Sequence, residues 1–487
     1  MLQAPPSSLR AVPSQTDATA PVLLVSSVFA DAEVPTALGR DAYSYHFVYR
    51  AFRTLLQRLG RIEEIDRPES RLDYAGDRAR RAGHTAIHLG FQPLQLVYLS
   101  SLVPNVAVPF WEFPDIPDED IDGNPRHNWA RVAAHLDGII CASAFTRAAF
   151  VKAGVRTPIH VVPVPIRDEY FALSAWTPTE RAQLAAPVHL LAPRRSPGIE
   201  PPPWDAQQPR DAVAAVHAMG QGLLRATLPR WLDHRVGQLG QALRRRLREA
   251  PAHPMDTIAS RTLLESSPIV YTSFVNPFDQ RKNWGDLLSA FLLALRDHDD
   301  ALLIIKLVTT PSLIPAALQR IADHYARVGI AHRCKVAIVS SYLSDGQLVE
   351  LTRLSTYYLT ATRAEGACLP AQDFLAASRP VVGPSHTAMA EYLDPDVAFV
   401  VESHPEPTWW PHDPSKNLRT SWHRVVWQSL HDRIRESYEV AARDRDRYAR
   451  MAQSGRARMR DFAAPERVWP RLRAALDDVG HAPTAVR

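Results

Sequence analysis

Twice along this chain, short runs rich in Val, Ile and Leu alternate with stretches of helical periodicity, and that alternation leaves few folds open. The first block opens at residues 21–29 (PVLLVSSVF), followed by Gly39-Arg40-Asp41 and a helical pattern through Phe47, Phe52, Leu55, Leu56 and Leu59. Further strands are expected at 84–90, 106–112, 136–141 and 159–165, with Ser143-Ala144-Phe145 opening a helix that runs to Ala153. The second block predicts strands at 269–275, 301–308, 336–340, 357–360 and 381–382, and helices at 284–294 and 313–328. Uninterrupted apolar strands belong to parallel sheets covered on both faces. Strands that alternate with helices give doubly wound α/β domains. Two such blocks in 487 residues fit two domains.

The segment between the blocks is different. Residues 191–208 are crowded with proline, and 229–250 repeat Leu232, Val236, Leu239, Leu243 and Leu247 at helical spacing. Residues 211–250 carry seven Arg (225, 230, 235, 244, 245, 246 and 248) against Asp211, Asp233 and Glu249, an excess of +4 that equals the net charge of the whole chain. Such a basic amphipathic helix can lie on anionic lipid through Arg244, Arg245 and Arg246, with Trp231 at the interface. It can equally pack across the two domains with a solvated Arg face. The expected layout is a loose tail over 1–20, an N-terminal Rossmann-like domain over 21–172, a Pro-rich and basic helical insertion over 173–267, a C-terminal Rossmann-like domain over 268–455, and a helical stretch over 456–487 that packs back on the first domain.

Composition removes several classes of function. With 46% apolar and 22% charged residues the chain has the makings of a core, so a wholly disordered protein is excluded. No apolar run approaches the ~18 residues of a membrane-spanning helix, and residues 1–20 lack the apolar stretch of a signal peptide. Cys141, Cys334 and Cys368 lie far apart, which rules out a disulfide framework and fits a reduced, cytoplasmic setting. A net charge of only +4 argues against a dedicated nucleic-acid binder. Only five of the 56 basic residues are Lys (152, 282, 306, 335 and 416).

The sharpest chemical feature is Glu365-Gly366-Ala367-Cys368-Leu369-Pro370-Ala371-Gln372-Asp373. A strand leads into it and an apolar helix leaves it. Two acids therefore flank a strand-to-helix turn, where open α/β sheets bind ligands. Amides at the helix start can face a phosphate or sugar oxygen, and the acids can accept from hydroxyls. On spacing alone, a capped helix with a solvated Asp in its first turn explains the same residues. Arg281-Lys282-Asn283 precedes a helix-forming Trp284-Gly-Asp-Leu-Leu-Ser-Ala-Phe, and on its own reads equally as a solvated loop. Glu112 ends a strand within Pro109-Phe-Trp-Glu-Phe-Pro-Asp, beside a loop rich in acids (Asp115, Asp118, Glu119, Asp120 and Asp122) that reads as solvated rather than metal-binding.

The Glu365-to-Asp373 turn resembles the Glu-x7-Glu signature of the retaining GT-B glycosyltransferases of the family-4 type, also called glycosyl transferases group 1. Other stretches resemble the same family in the same order: Ser143-Ala-Phe-Thr with Phe150 and Gly154-Val155; Val161-Val-Pro-Val-Pro-Ile with Tyr170-Phe171; Arg281-Lys282-Asn283; and Ser378-Arg-Pro-Val-Val with Glu391. The resemblance covers most of 21–171 and 268–470. It implies a GT-B fold, two facing doubly wound domains with a cleft between them, the nucleotide sugar held by the C-terminal domain and the acceptor by the N-terminal one. It implies a hexosyltransferase that moves a sugar, such as mannose, from a GDP- or UDP-sugar to a glycan or lipid-linked acceptor with retention. It implies no metal or other cofactor, and a place in bacterial surface polysaccharide or glycolipid assembly, in the cytoplasm or on the inner face of the plasma membrane.

The same resemblance assigns roles to individual residues. Glu365 would hold the donor sugar's hydroxyls, and Gly366, Ala367, Cys368 and Leu369 would offer backbone amides to sugar and phosphate. Asp373 would hold the ribose, although the family usually has Glu there. Lys282 and Arg281 would neutralise the diphosphate leaving group with fixed positive charge. Many members carry an Arg about five residues before the Lys, where this chain has Pro277. Gly39 would approach the donor phosphate, with Arg40 in place of the usual second glycine. Glu112 stands where many relatives have His and would orient or deprotonate the acceptor hydroxyl. These departures keep open an alternative from another class: a catalytically silent GT-B scaffold that binds a nucleotide sugar or glycan without turnover.

Overall fold

The continuous apolar runs become the centres of two sheets. The structure is a computed structural model, described for residues 20–28, 33–39, 42–178, 183–191, 258–265, 268–411, 413 and 416–480. The first sheet holds β1 (Val22–Ser27), β2 (Arg61–Glu64), β3 (Ala86–Phe91), β4 (Asn105–Ala107), β5 (Gly138–Cys141) and β6 (Ile159–Val161) in the spatial order β2-β1-β3-β4-β5-β6. Every pairing in it is parallel. The Ser44–Leu59 helix covers one face through Val48, Tyr49, Phe52, Leu55 and Leu56, which share an apolar cluster with β1 and β3. Ser143 caps the Ala144–Lys152 helix by accepting from the Thr146 amide at 3.1 Å, which fixes its start.

The second sheet contains β7 (Gln183–Leu191), β8 (Ile258–Glu265), β9 (Ile269–Val275), β10 (Ala301–Leu307), β11 (Lys335–Val339), β12 (Tyr357–Leu359), β13 (Val381–Pro384) and β14 (Ala398–Val401), in the order β14-β13-β12-β9-β10-β11-β7-β8. The six strands from β14 to β11 are parallel. From β9 the chain winds outward through β10 and β11, then returns to the other side of β9 with β12. That reversal is the topological switch point of a doubly wound sheet. A separate hairpin, β15 (Ser403–Trp409) and β16 (Arg419–Val425), follows.

The second sheet is wider than the sequence suggested. The ends of the expected 173–267 insertion are not helical: β7 and β8 form an antiparallel pair that joins the sheet through β11. Their burial alternates along β7, as a strand covered on one face requires. The basic stretch with Arg244, Arg245 and Arg246 lies outside the described residues, as does the tail up to residue 19.

The last two helices tie the halves together. Met459 and Ala463 of the Arg445–Ala463 helix pack with Phe374, Leu375 and Tyr392 of the C-terminal half. Two residues later the Pro465–Gly480 helix has crossed over, and Val468, Leu472, Leu476 and Val479 pack with Phe52, Ile140 and Val162 of the N-terminal half. Among the described residues, no helix is long and apolar enough to cross a membrane.

Candidate functional site

The loops that leave β9 and β12, adjacent strands at the switch point, bring the candidate residues together. The loop after β9 carries Asp279, Arg281 and Lys282; the turn after β12 carries Glu365 to Leu369. Both turns use left-handed backbone. Asn283 has φ 44° and Cys368 has φ 56°. Asn tolerates this conformation, but at Cys368 it costs on the order of 1 kcal/mol, which the surrounding packing must hold in place.

Lys282 Nζ lies 2.6 Å from Glu365 Oε1, which also accepts from Thr362 Oγ1 at 2.9 Å. Glu365 is only 7% exposed, so this pair is desolvated. Burial pushes the Lys282 ammonium down, but Glu365, Asp279 and Cys368 together push it up, and the pKa stays above the ordinary lysine value. Arg281 reaches Asp279 at 2.8 Å and Glu112 at 2.9 Å, and donates to the Ala364 carbonyl at 3.2 Å. Glu112 belongs to the N-terminal half, so the Arg281–Glu112 pair spans the crevice. Arg281 holds Glu112 Oε1 at 2.9 Å, a fixed geometry that suits Glu112 to positioning across the crevice. Pro277, at the place of the expected Arg, accepts from Trp284 Nε1 at 3.1 Å and anchors the helix that follows.

Gly366, Ala367, Cys368 and Leu369 lead into the Leu369–Ala376 helix, and among the described residues their N–H groups donate to no acceptor in the chain. The start of a helix with free amides is a place where anionic or polar oxygens bind. Gly366 is required for close approach: a Cβ there would lie 2.8 Å from the Trp111 carbonyl oxygen of the N-terminal half. The Cys368 thiol is pushed up to about 12 by burial and by Glu365, so it stays protonated.

Asp373 lies one turn along the helix and lines the same cavity of about 310 Å³ as Glu112, Arg281, Lys282 and Glu365. Burial raises its carboxyl to about 7, against the opposing pull of Arg167 and a hydrogen bond from Tyr170. Arg167 and Tyr170 follow β6 in the N-terminal half, and no local motif in the sequence marks Arg167. Gly39 closes the crevice from the other side. It has φ 80°, and a Cβ on it would stand 2.5 Å from the Val308 carbonyl oxygen beyond β10. Arg40 lies outside the described residues.

Further contacts hold the two halves in this closed arrangement. Asp345 pairs with Arg167 at 2.9 Å and with Arg50. Glu391 accepts from the Phe145 amide at 2.9 Å, and Thr420 donates to Asp115 at 3.0 Å. The Trp410 and Trp111 rings lie 5.4 Å apart, an aromatic contact between the two halves. The acidic loop is engaged in ordinary bonding: Asp115 pairs with Lys152, and Asp120 with Arg131. Among the described residues, no three His, Cys, Asp or Glu side chains converge as a metal site.

No family model matches the sequence, and no curated protein matches it. Solved structures do match its fold. Sucrose-phosphate synthase from Thermosynechococcus elongatus is 11% identical, with 95% of this chain and 100% of that chain covered and a TM-score of 0.54. HepE from Anabaena, in complex with UDP, is 14% identical over 94% of this chain and 99% of that chain, with a TM-score of 0.50. A glycosyltransferase from Rickettsia africae is 9% identical over 96% and 100%, with a TM-score of 0.50. The fold of this chain is that of the GT-B glycosyltransferases, two facing Rossmann-like domains.

Proposed function

We propose that the protein is a glycosyltransferase whose nucleotide-sugar donor occupies the crevice after β9 and β12. The observation that carries this reading is the convergence of the Lys282–Glu365 pair, Arg281 and four free amides at a switch point. Departure of a nucleoside diphosphate develops negative charge, and Lys282, Arg281 and the amides of 366–369 are preorganised donors for it. Glu365 holds Lys282 in place and offers an oxygen to sugar hydroxyls. Asp373, about half protonated near pH 7, can donate to ribose hydroxyls in its neutral form and accept from them in either form. Glu112 faces the acceptor from the N-terminal half. The closed crevice excludes water and so limits hydrolysis of the donor. Retention of configuration, a UDP- or GDP-linked hexose, a glycan or lipid-linked acceptor and a role in surface polysaccharide assembly complete the proposal.

A panel of UDP-, GDP- and dTDP-sugars, followed by nucleoside diphosphate release, tests it. Release from one donor that is lost in Lys282→Ala and Glu365→Ala is the expected result. The silent-scaffold alternative draws support from the ion pairs that already occupy both cations. It predicts a donor that binds but never turns over, even with membrane extracts as acceptor.

A further inference from the structure

Lys306 sits on β10, in the run Ala-Leu-Leu-Ile-Ile-Lys-Leu, and is only 3% exposed. It lines the same cavity as Lys282 and Glu365, whose apolar and aromatic lining includes Phe274, Tyr342, Leu343 and Leu348. Its register neighbours, Phe274 on β9 and Val339 on β11, are apolar. Its ammonium donates to the Leu307 carbonyl, and among the described residues no carboxylate pairs with it. Among the described residues, the other cations around the cavity are paired: Lys282 with Glu365, Arg281 with Glu112 and Asp279, Arg167 with Asp345.

A charged amine in apolar surroundings is costly unless a partner satisfies it. Elsewhere in the cavity lining, Arg281 and Lys282 are each paired with carboxylates (Glu112, Asp279 and Glu365), so a further cation would add to the attraction for a polyanion. Resting on the donor reading above, we propose that Lys306 is a donor-binding residue whose ammonium takes an oxygen of the nucleotide, a phosphate oxygen or a base carbonyl. The ligand then supplies a further acceptor beside the Leu307 carbonyl, and Lys306 adds positive charge to that of Lys282 and Arg281. Burial alone pushes its pKa down to about 7, so the free protein holds it part-protonated near neutrality and an incoming acceptor draws the proton on. The titratable groups lining the same cavity are Tyr43, Glu112, Tyr170, Asp279, Arg281, Lys282, Tyr342, Tyr358, Glu365, Cys368 and Asp373; none of them shifts the Lys306 ammonium.

The test is calorimetric titration of the full chain and of Lys306→Met with UDP, GDP and dTDP, in two buffers of different ionisation enthalpy at pH 7.5. Wild type is expected to take up a fraction of a proton on binding. The variant is expected to bind roughly ten- to a hundredfold more weakly, as loss of a charged hydrogen bond implies, with that uptake gone. Its melting temperature without ligand should match or exceed wild type, because a buried charge has been removed, and this separates lost binding from lost folding. Repeating the best ligand as its monophosphate and nucleoside identifies the oxygen: a penalty that vanishes with the phosphates marks phosphate, and one that persists marks the base. Wild type and variant binding equally, with equal proton uptake, would overturn the role of Lys306 alone. Wild type that binds none of the three nucleotides would overturn the donor reading and this proposal together.

Discussion

Ser26, His88 and Asn105 in the N-terminal sheet, and Glu112, Arg281, Lys282 and Glu365 in the crevice, are both closed polar networks, yet they differ in what can reach them. His88 Nε2 lies 2.8 Å from Ser26 Oγ, and His88 Nδ1 lies 3.1 Å from Asn105 Oδ1. The Asn105 amide nitrogen donates to the carbonyls of Ser100 and Val103, so Oδ1 accepts and the imidazole carries its hydrogen on Nδ1. That is the order of a hydroxyl–imidazole–amide relay of a nucleophilic enzyme. All three residues are 0–1% exposed, and burial lowers the His88 pKa to about 4. The relay is sealed and serves packing. The crevice network has a comparable number of bonds but faces a cavity and leaves four amides free. Residue types and distances do not distinguish the two; access and unspent donors do.

Glu365→Ala should break the crevice network most severely. It leaves the half-buried Lys282 without its carboxylate and removes the oxygen proposed to meet the sugar, and nucleoside diphosphate release should fall about 100- to 1000-fold. Ser26→Ala is the matching change in the sealed network. It strands the His88 acceptor and should cost about 1–3 kcal/mol in urea unfolding while donor affinity is unchanged.

Asp373→Asn sharpens the comparison through pH. The carboxyl pKa rises from 3.8 to about 7 on folding, so between those values the native state holds more protons than the unfolded one. The stability this group contributes is therefore greatest below pH 4, declines as pH rises and is fully lost above pH 7. The amide does not ionise. Relative to wild type, the variant should gain about 1–2 kcal/mol between pH 4 and pH 8, allowing for solvent screening, as read from melting curves across that range. Asp345→Ala should have the smallest effect. Its pairs with Arg50 and Arg167 are about one-third exposed, so its cost to stability should be below about 1 kcal/mol, and a modest rise in donor KM should report the looser crevice.

Much of the frame was legible in the sequence because parallel strands buried on both faces read as unbroken apolar runs. What escaped were strands of other kinds. β2 (Arg-Ile-Glu-Glu) is a half-exposed edge, and β15 (Ser-His-Pro-Glu-Pro-Thr-Trp) carries two prolines on an isolated hairpin. β7 alternates in burial, a pattern hidden by the proline-rich segment beside it. At the site, Lys282, Arg281 and Glu365 stood out through the resemblance of their turns to the family-4 motifs, since on spacing alone each reads equally as a solvated loop or a capped helix. Asp279, Arg167 and Lys306 were missed because their significance comes from tertiary neighbours. Lys306 did leave a signal, a lone charge within seven residues of an otherwise apolar strand. A strand buried on both faces excludes lysine unless something outside the strand needs it.

The turn after β12 is the proposed donor site. Hydrogen exchange of the full chain with and without saturating UDP, GDP or dTDP reads it most directly. At least one nucleotide should slow exchange at the free amides of Gly366, Ala367, Cys368 and Leu369 and in the 276–283 loop, while the Ser26–His88–Asn105 region stays unchanged. Nucleotide-dependent protection confined to other regions, with 366–369 exchanging as before, would contradict it.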